Sequence, residues 1–321
     1  MIENIPTTIL MGFLGVGKTS AILNLLEQKP EQEKWAVLVN EFGKVGIDGA
    51  IYASMGIQVK EIVGGCMCCT AGVPLQVAVN NLLKEFRPDR LLIETTGLGH
   101  PKRVLDTLRG EHFNKSLSLK ASICLVDPEN LKDIRYTRHE TFIDQIALSD
   151  ILVANKTDLA DAESLHLFDQ LAEKSEPKKL LVGKTQYGKL NVNWLDLSPE
   201  VRHAEYPNHH AHTDETRQQT IDSFNSAGWI YPKNTQFDYD CIEHCFNQFE
   251  SKGVKVERLK AILYTNKGCF VFNMSQSRLM VKKISGSEKP QESRLEIIAT
   301  EIKKPQLEKY IEACKRKSSV N

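Results

Sequence analysis

The sequence predicts an α/β protein built in two parts. Strand-length apolar runs alternate with helix-periodic segments up to about residue 200. A Gly-rich loop, Gly12-Phe13-Leu14-Gly15-Val16-Gly17-Lys18-Thr19, lies between the first run and the first helical segment. Past a polar stretch the pattern becomes strand-rich and shorter. The expected architecture is a P-loop NTPase-type, mostly parallel sheet over residues 1–200, a His-containing linker over 201–216 and a smaller α+β domain over 217–321. A chain of 321 residues supplies enough apolar surface for two cores.

Composition excludes some partners. The 41 basic and 41 acidic residues cancel, so the broad basic field that nucleic acid or anionic lipid requires is not expected. No apolar run approaches the roughly 20 residues of a membrane span. Met1-Ile2-Glu3-Asn4 lacks the basic flank of a cleavable signal, and eight Cys are spread over a long chain, which together predict a cytoplasmic setting.

The first strand is expected at residues 7–11, and the loop after it satisfies G-x-x-x-x-G-K-[ST]. Such a loop turns backbone N–H groups toward phosphate, here around Gly12, Gly15, Val16, Gly17 and Ser20. Lys18 is placed to reach the β- and γ-oxygens, and the Thr19 hydroxyl to ligate Mg²⁺. Ile22, Leu23, Leu25 and Leu26 make the following segment a helix whose N-terminus faces the anion. A second buried strand over 35–39 runs into Asn40-Glu41-Phe42-Gly43-Lys44-Val45-Gly46-Ile47-Asp48-Gly49. Ligands of open α/β sheets sit beyond the carboxyl ends of strands, so Glu41 and Asp48 are candidates for the phosphates, Mg²⁺ or a second metal. A solvated Gly-rich loop is the other reading of this stretch.

A strand over 57–62 leads to Gly64-Gly65-Cys66-Met67-Cys68-Cys69-Thr70. Thiols this close in sequence cannot easily satisfy disulfide geometry with one another, but as thiolates they can converge on Zn²⁺. The alternative is three small hydrophobes beside a Gly-Gly turn. After a helix over 73–86, the strand 90–93 closes with Glu94-Thr95-Thr96-Gly97, in the position of a Walker B strand. Glu94 replaces the more familiar Asp and is long enough to hold Mg²⁺ through a water, while the Gly97 N–H can meet the γ-phosphate.

Strands at 122–126 and 151–154 bracket a helix at 142–148. The latter strand ends in Asn155-Lys156-Thr157-Asp158, an N-K-x-D sequence. The Asp158 carboxylate can accept two hydrogen bonds from guanine N1–H and its exocyclic amine, which favours GTP over ATP. A last strand at 179–182 precedes residues 184–188, expected against the base.

His203, His209, His210 and His212 fall in a stretch without apolar periodicity, readable either as a transient metal site or as a plain polar linker. Strands at 219–224, 258–265, 269–273, 278–284 and 295–299 follow, with helices at 239–249 and 305–314. Cys241, His244 and Cys245 have metal-compatible helical spacing, yet Cys245 also continues a core stripe with Ile242, Phe246 and Phe249, and packing is the preferred reading. Cys124, Cys269 and Cys314 stand singly among apolar residues and are expected to be inert.

Gly-Phe-Leu-Gly-Val-Gly-Lys-Thr, Val-Asn-Glu-Phe-Gly, Gly-Gly-Cys-Met-Cys-Cys, Ile-Glu-Thr-Thr-Gly-Leu-Gly-His-Pro and Asn-Lys-Thr-Asp occur in this order. Together they resemble the CobW-like GTPases, and most closely their YeiR-like zinc-binding branch. The resemblance spans nearly the whole chain, including the linker and a CobW-type C-terminal domain. It implies a GTP-hydrolysing metallochaperone related to the nickel-insertion GTPases of urease and hydrogenase maturation. Cys66, Cys68 and Cys69 would be the metal motif, with Glu41 as a metal neighbour. The implied ligands are GTP, Mg²⁺ and Zn²⁺, the partner is a client metalloprotein, and a homodimer is a further arrangement to consider. Some relatives carry an acidic residue where this chain has Lys44, so a surface metal site using that position is not expected.

Lys18, Asp48 and Glu94 are the candidate catalytic residues. No motif supplies an evident water-positioning Gln or Arg finger, so turnover is expected to be slow. Other readings are insertion of Co²⁺ or Ni²⁺ into a particular enzyme, non-catalytic metal buffering, and a thiol redox switch.

Overall fold

The computed structural model describes residues 3–40, 47–54, 57–62, 72–99, 101–199, 224–275, 277–284 and 290–316. Its first sheet contains β1 (Ile5–Gly12), β2 (Trp35–Asn40), β3 (Gln58–Ile62), β4 (Arg90–Glu94), β5 (Leu117–Leu119), β6 (Ile123–Val126), β7 (Ile151–Ala154) and β8 (Leu181–Lys184). The spatial order is β3-β2-β4-β1-β6-β7-β8. Short β5 pairs with Ile5–Thr7 of β1, and β6 pairs with Leu10–Gly12, so the two share one side of that strand. Every pairing is parallel.

The helices of this domain are α1 (Lys18–Glu27), α2 (Ile47–Ser54), α3 (Gly72–Phe86), α4 (Pro101–Arg109), α5 (Ile134–Thr137), α6 (Glu140–Leu148) and α7 (Ala162–Lys174). They cover the sheet, and β4, β6 and β7 are buried along their whole length. That burial is why these strands read as continuous apolar runs rather than as alternation. Strand β8 is partly exposed, begins two residues later than its apolar signal predicts, and packs Gly183 under the Trp194 ring. Strand β5 is too short to carry a period. The parallel strands all present their carboxyl ends at one edge. The chain winds outward from β1 in both directions there, which opens the crevice where such folds bind ligands.

The second sheet is antiparallel, with β9 (Asn225–Pro232), β10 (Val256–Thr265), β11 (Gly268–Ser275), β12 (Arg278–Lys283) and β13 (Glu292–Ala299) in the order β12-β11-β10-β13-β9. Helices α8 (Tyr239–Asn247) and α9 (Lys304–Glu312) contribute Ile242, Phe246, Leu307 and Ile311 to a core with Leu259, Leu263, Phe272 and Ile297. The strand expected at 219–224 is not this β9; residues 219–223 lie outside the described residues. In β9 the side chains of Ala227, Trp229 and Tyr231 alternate inward, but Asn225, Ser226 and Gly228 dilute the propensity that would have marked a strand.

One cysteine expectation is overturned. Cys314 is bonded to Cys241, which lies 73 residues earlier. The Asp238 N–H donates to Cys314 O at 2.8 Å and draws the end of α9 onto the start of α8. Cys245 is buried in the core as its stripe predicts, and Cys124 and Cys269 are buried and take no part in a disulfide. Burial pushes the Cys124 thiol up to about 12, which leaves it unreactive.

The two domains meet along α2. Ile47 and Ile51 pack on Ile262 and Cys269 of the second sheet. At the start of β10 a second contact joins the domains, where the Glu257 carboxylate accepts from Tyr136 Oη at 3.0 Å and from Arg135 at 2.9 Å. Among the described residues no helix is long and apolar enough to cross a membrane.

Candidate nucleotide and metal site

The loop after β1 turns through Gly15 (φ 70°) and Gly17 (φ 97°), both left-handed. At Gly17 a second constraint applies, because a Cβ would come 2.5 Å from Asn155 Nδ2. Asn155 uses that amide to donate to Val16 O at 2.8 Å, and its Oδ1 accepts from Gly188 N at 3.0 Å. The first residue of N-K-x-D therefore fastens the phosphate loop to the 184–188 segment, which lies against it. Thr185 N in turn donates to Ala154 O at 2.7 Å. Lys156 takes a left-handed turn (φ 61°), pairs with Asp127 at 2.9 Å and donates to Ser275 Oγ at 3.0 Å. Asp158, two residues on, is exposed.

Lys18 begins α1 and folds its ammonium back onto Gly12 O (2.7 Å) and Phe13 O (3.0 Å). Burial lowers its pKa to about 8; the Glu94 and Asp48 carboxylates oppose the fall, and Lys260 and Arg258 add to it. Ser20 is half-buried in the same first turn. Gly97, after β4, is pressed so closely on the loop that a Cβ would lie 2.9 Å from Leu14 N, and its carbonyl accepts from Gln145 Nε2 at 3.2 Å.

Next to Lys18, Thr19 Oγ1 lies 2.9 Å from Glu94 Oε1 and 3.1 Å from Asp48 Oδ1. Tyr52 Oη donates to the other Glu94 oxygen at 2.7 Å. Asp48 reaches this point from the first turn of α2. A loop was the alternative reading there, since Gly43, Gly46 and Gly49 hide a helix that forms by burying Ile47, Ile51 and Tyr52. Burial raises the Glu94 pKa and Asp48 raises it further, against Lys260, Lys18 and the Tyr52 hydrogen bond. Burial together with Glu94 also keeps the Tyr52 phenol protonated and so a donor. A hydroxyl and two carboxylates converging beside a phosphate loop form the hard-oxygen donor set that suits Mg²⁺.

Residues 6–182 match the CobW/HypB/UreG nucleotide-binding domain, and residues 226–315 match the cobalamin synthesis protein cobW C-terminal domain. The chain belongs to the CobW/HypB/UreG family. It is 39% identical over 313 residues to the zinc chaperone YeiR of Escherichia coli (strain K12), which spans 92% of this chain and 93% of that protein. Identity is 29% over 207 residues to the zinc chaperone CobW of Sinorhizobium sp, covering 56% of this chain and 58% of the other. It is 32% over 198 residues to the zinc-regulated GTPase metalloprotein activator 1 of Schizosaccharomyces pombe (strain 972 / ATCC 24843), covering 59% and 48%.

In this CobW/HypB/UreG chain the thiol motif Cys66, Cys68 and Cys69, with Glu41 and the linker histidines, lies outside the described residues. Its flanks are described: β3 enters the segment and α3 leaves it. The Glu61 carboxylate of β3 fills the space where a side chain at Gly49 would stand, so β3 leans directly on α2. Burial raises the Glu61 pKa, Arg294 opposes this, and Asp48 adds to it. Among the described residues no group of three or more His, Cys, Asp or Glu side chains could hold a metal ion. Sequence reasoning missed two residues of the nucleotide site, Tyr52 and Lys260. Lys260 of β10 donates to Thr19 Oγ1 at 3.0 Å and pairs with Asp48 Oδ1.

Proposed function

We propose that this CobW/HypB/UreG chain is a GTPase that carries Zn²⁺ as cargo and releases it to a client metalloprotein when its nucleotide state changes. The observation that carries this reading is the position of α2. Its Asp48 faces Thr19 and its Gly49 faces Glu61, so one helix touches both the phosphate pocket and the strand leading into Cys66, Cys68 and Cys69. The names of the relatives, zinc chaperones and a zinc-regulated GTPase, support the same cargo.

In this reading the loop backbone and Lys18 hold the β- and γ-phosphates, and Asp158 selects guanine. Thr19, Asp48 and Glu94 would hold Mg²⁺, which when bound supplies positive charge to the phosphates. Tyr52 fixes Glu94, and Asp48 positions the hydrolytic side of the pocket. Gly97, wedged against Leu14, leaves no slack between the phosphate loop and the end of β4. Three thiolates leave one tetrahedral position for Glu41 or a client side chain, which suits transfer better than storage.

If nucleotide alters the thiol geometry through α2 and β3, Zn²⁺ must alter nucleotide affinity by the same factor. Zn²⁺ affinity, measured by competition with a chromophoric chelator, is expected to differ about 5- to 150-fold between GDP and a non-hydrolysable GTP analogue. Equal affinities would end the coupling reading. Asp48→Asn is expected to lower single-turnover hydrolysis by about a hundredfold, the lower end of what a positioned acid–base group contributes. Full turnover in that variant would remove Asp48 from the mechanism.

A further inference from the structure

Lys260 reaches the nucleotide pocket from the other domain. Beyond a register shift at Val256/Arg258, the odd-numbered residues Leu259, Ala261 and Leu263 of β10 fill the C-terminal core. The opposite face carries Arg258, Lys260 and Ile262. Ile262 packs on Ile47 and Ile51 of α2, and Arg258 is paired with Glu296 at 2.6 Å. Lys260 lies between them with its side chain only 9% exposed, donating to Thr19 Oγ1 at 3.0 Å and paired with Asp48. Ser275, on the neighbouring strand, stands so close that a Cβ at Gly15 would come within 2.7 Å of it. Two of the three oxygen groups that suit Mg²⁺ are thus engaged by a cation belonging to the C-terminal domain.

We propose that Lys260 is an internal cation which the docked C-terminal domain places at the Mg²⁺ position, so that Mg²⁺-nucleotide and domain docking compete for Asp48 and Thr19. The inference rests on the Mg²⁺-GTP reading of the pocket and adds to it a residue through which the second domain senses the nucleotide. An ammonium and Mg²⁺ cannot take the same oxygens, because Mg²⁺ needs its ligands in close, near-octahedral contact. Entry of Mg²⁺-nucleotide therefore displaces Lys260 and frees the domain of one buried anchor. By reciprocity the docked domain raises the Mg²⁺ requirement of nucleotide binding.

The test measures, on the full chain, the Mg²⁺ concentration that half-saturates binding of a fluorescent GDP analogue. Lys260→Met keeps the volume and removes the charge, and is expected to lower that concentration about tenfold, a usual size for coupling between two sites. Glu257→Gln leaves Lys260 in place but weakens docking at Arg135 and Tyr136, and is expected to lower it about threefold in the same direction. A fall in both supports the proposal, as does a fall in Glu257→Gln alone where Lys260→Met does not fold. An unchanged or increased Mg²⁺ requirement in the folded variants overturns it; an increase would mean that Lys260 serves the loaded state. Wild-type protein that binds no guanine nucleotide at any Mg²⁺ concentration would overturn the underlying function as well.

Discussion

Replacing Cys66, Cys68 and Cys69 together by Ser is expected to abolish tight Zn²⁺ binding while guanine-nucleotide binding survives. A four-ligand Zn²⁺ site in a small domain is worth roughly 10–16 kcal/mol, so losing three thiolates removes on the order of 8 kcal/mol or more if the ligands share it evenly. The serine hydroxyls are neutral and harder, and do not restore it. Nucleotide binding survives because no cysteine belongs to the described phosphate-side cluster, whose polar side chains are Lys18, Thr19, Asp48, Tyr52, Glu94 and Lys260. The dependence of nucleotide affinity on Zn²⁺ should vanish in the variant, since linkage requires both partners. Chelator competition for Zn²⁺ and fluorescent-nucleotide titration, run on the same protein, separate the outcomes. Unchanged Zn²⁺ affinity would move the metal elsewhere, with His203, His209, His210 and His212 the next donors. Loss of nucleotide binding would make the thiol segment a structural part of the pocket instead.

The parts of this site legible in the sequence are those where one ligand dictates local spacing. A phosphate wrapped by consecutive N–H groups demands Gly15, Gly17 and Lys18 at fixed intervals, and the structure places them at the carboxyl end of β1. Glu94 and Asn155 were legible because each closes a strand buried as a continuous apolar run. What escaped depends on partners remote in the chain. Asp48 and Lys260 are 212 residues apart, and no periodicity in either neighbourhood announces the pair. Within β10, Arg258 and Lys260 alternate with apolar residues as on a solvated sheet face, yet that face is buried against α2. Cys241 and Cys314 are a second case, joined only once α8 and α9 pack side by side. Helix α2 illustrates a third cause: its Gly-rich approach reads as loop, and tertiary burial of Ile47 and Tyr52 overrides that local preference.

Lys18→Ala is expected to erase the stability that guanine nucleotide confers, with little effect on the free protein. The Lys18 ammonium is buried and makes two carbonyl contacts, at 2.7 and 3.0 Å. Its pKa has fallen to about 8, which means the surroundings recover only part of the lost hydration. Removing a charge held on such terms costs the free fold little, because the relief of its desolvation and of its repulsion with Lys260 and Arg258 offsets the lost attraction to Glu94 and Asp48. Phosphate reverses the balance, because the ammonium then faces an anion in the same water-poor loop. Truncating one partner of a buried, hydrogen-bonded charge pair costs about 2–5 kcal/mol, or roughly 30- to several-thousand-fold in affinity. At a nucleotide concentration near 100 times its Kd, wild type gains about 2.7 kcal/mol on unfolding; a thousandfold weaker variant gains less than about 0.1 kcal/mol at the same concentration. Thermal unfolding with and without the Mg²⁺-bound, non-hydrolysable GTP analogue reads both quantities. A variant that melts at or above the wild-type temperature when free, and fails to shift with nucleotide, assigns Lys18 to phosphate. One that melts lower but shifts normally would show that the ammonium braces the loop through Gly12 and Phe13 and leaves the phosphates to the backbone.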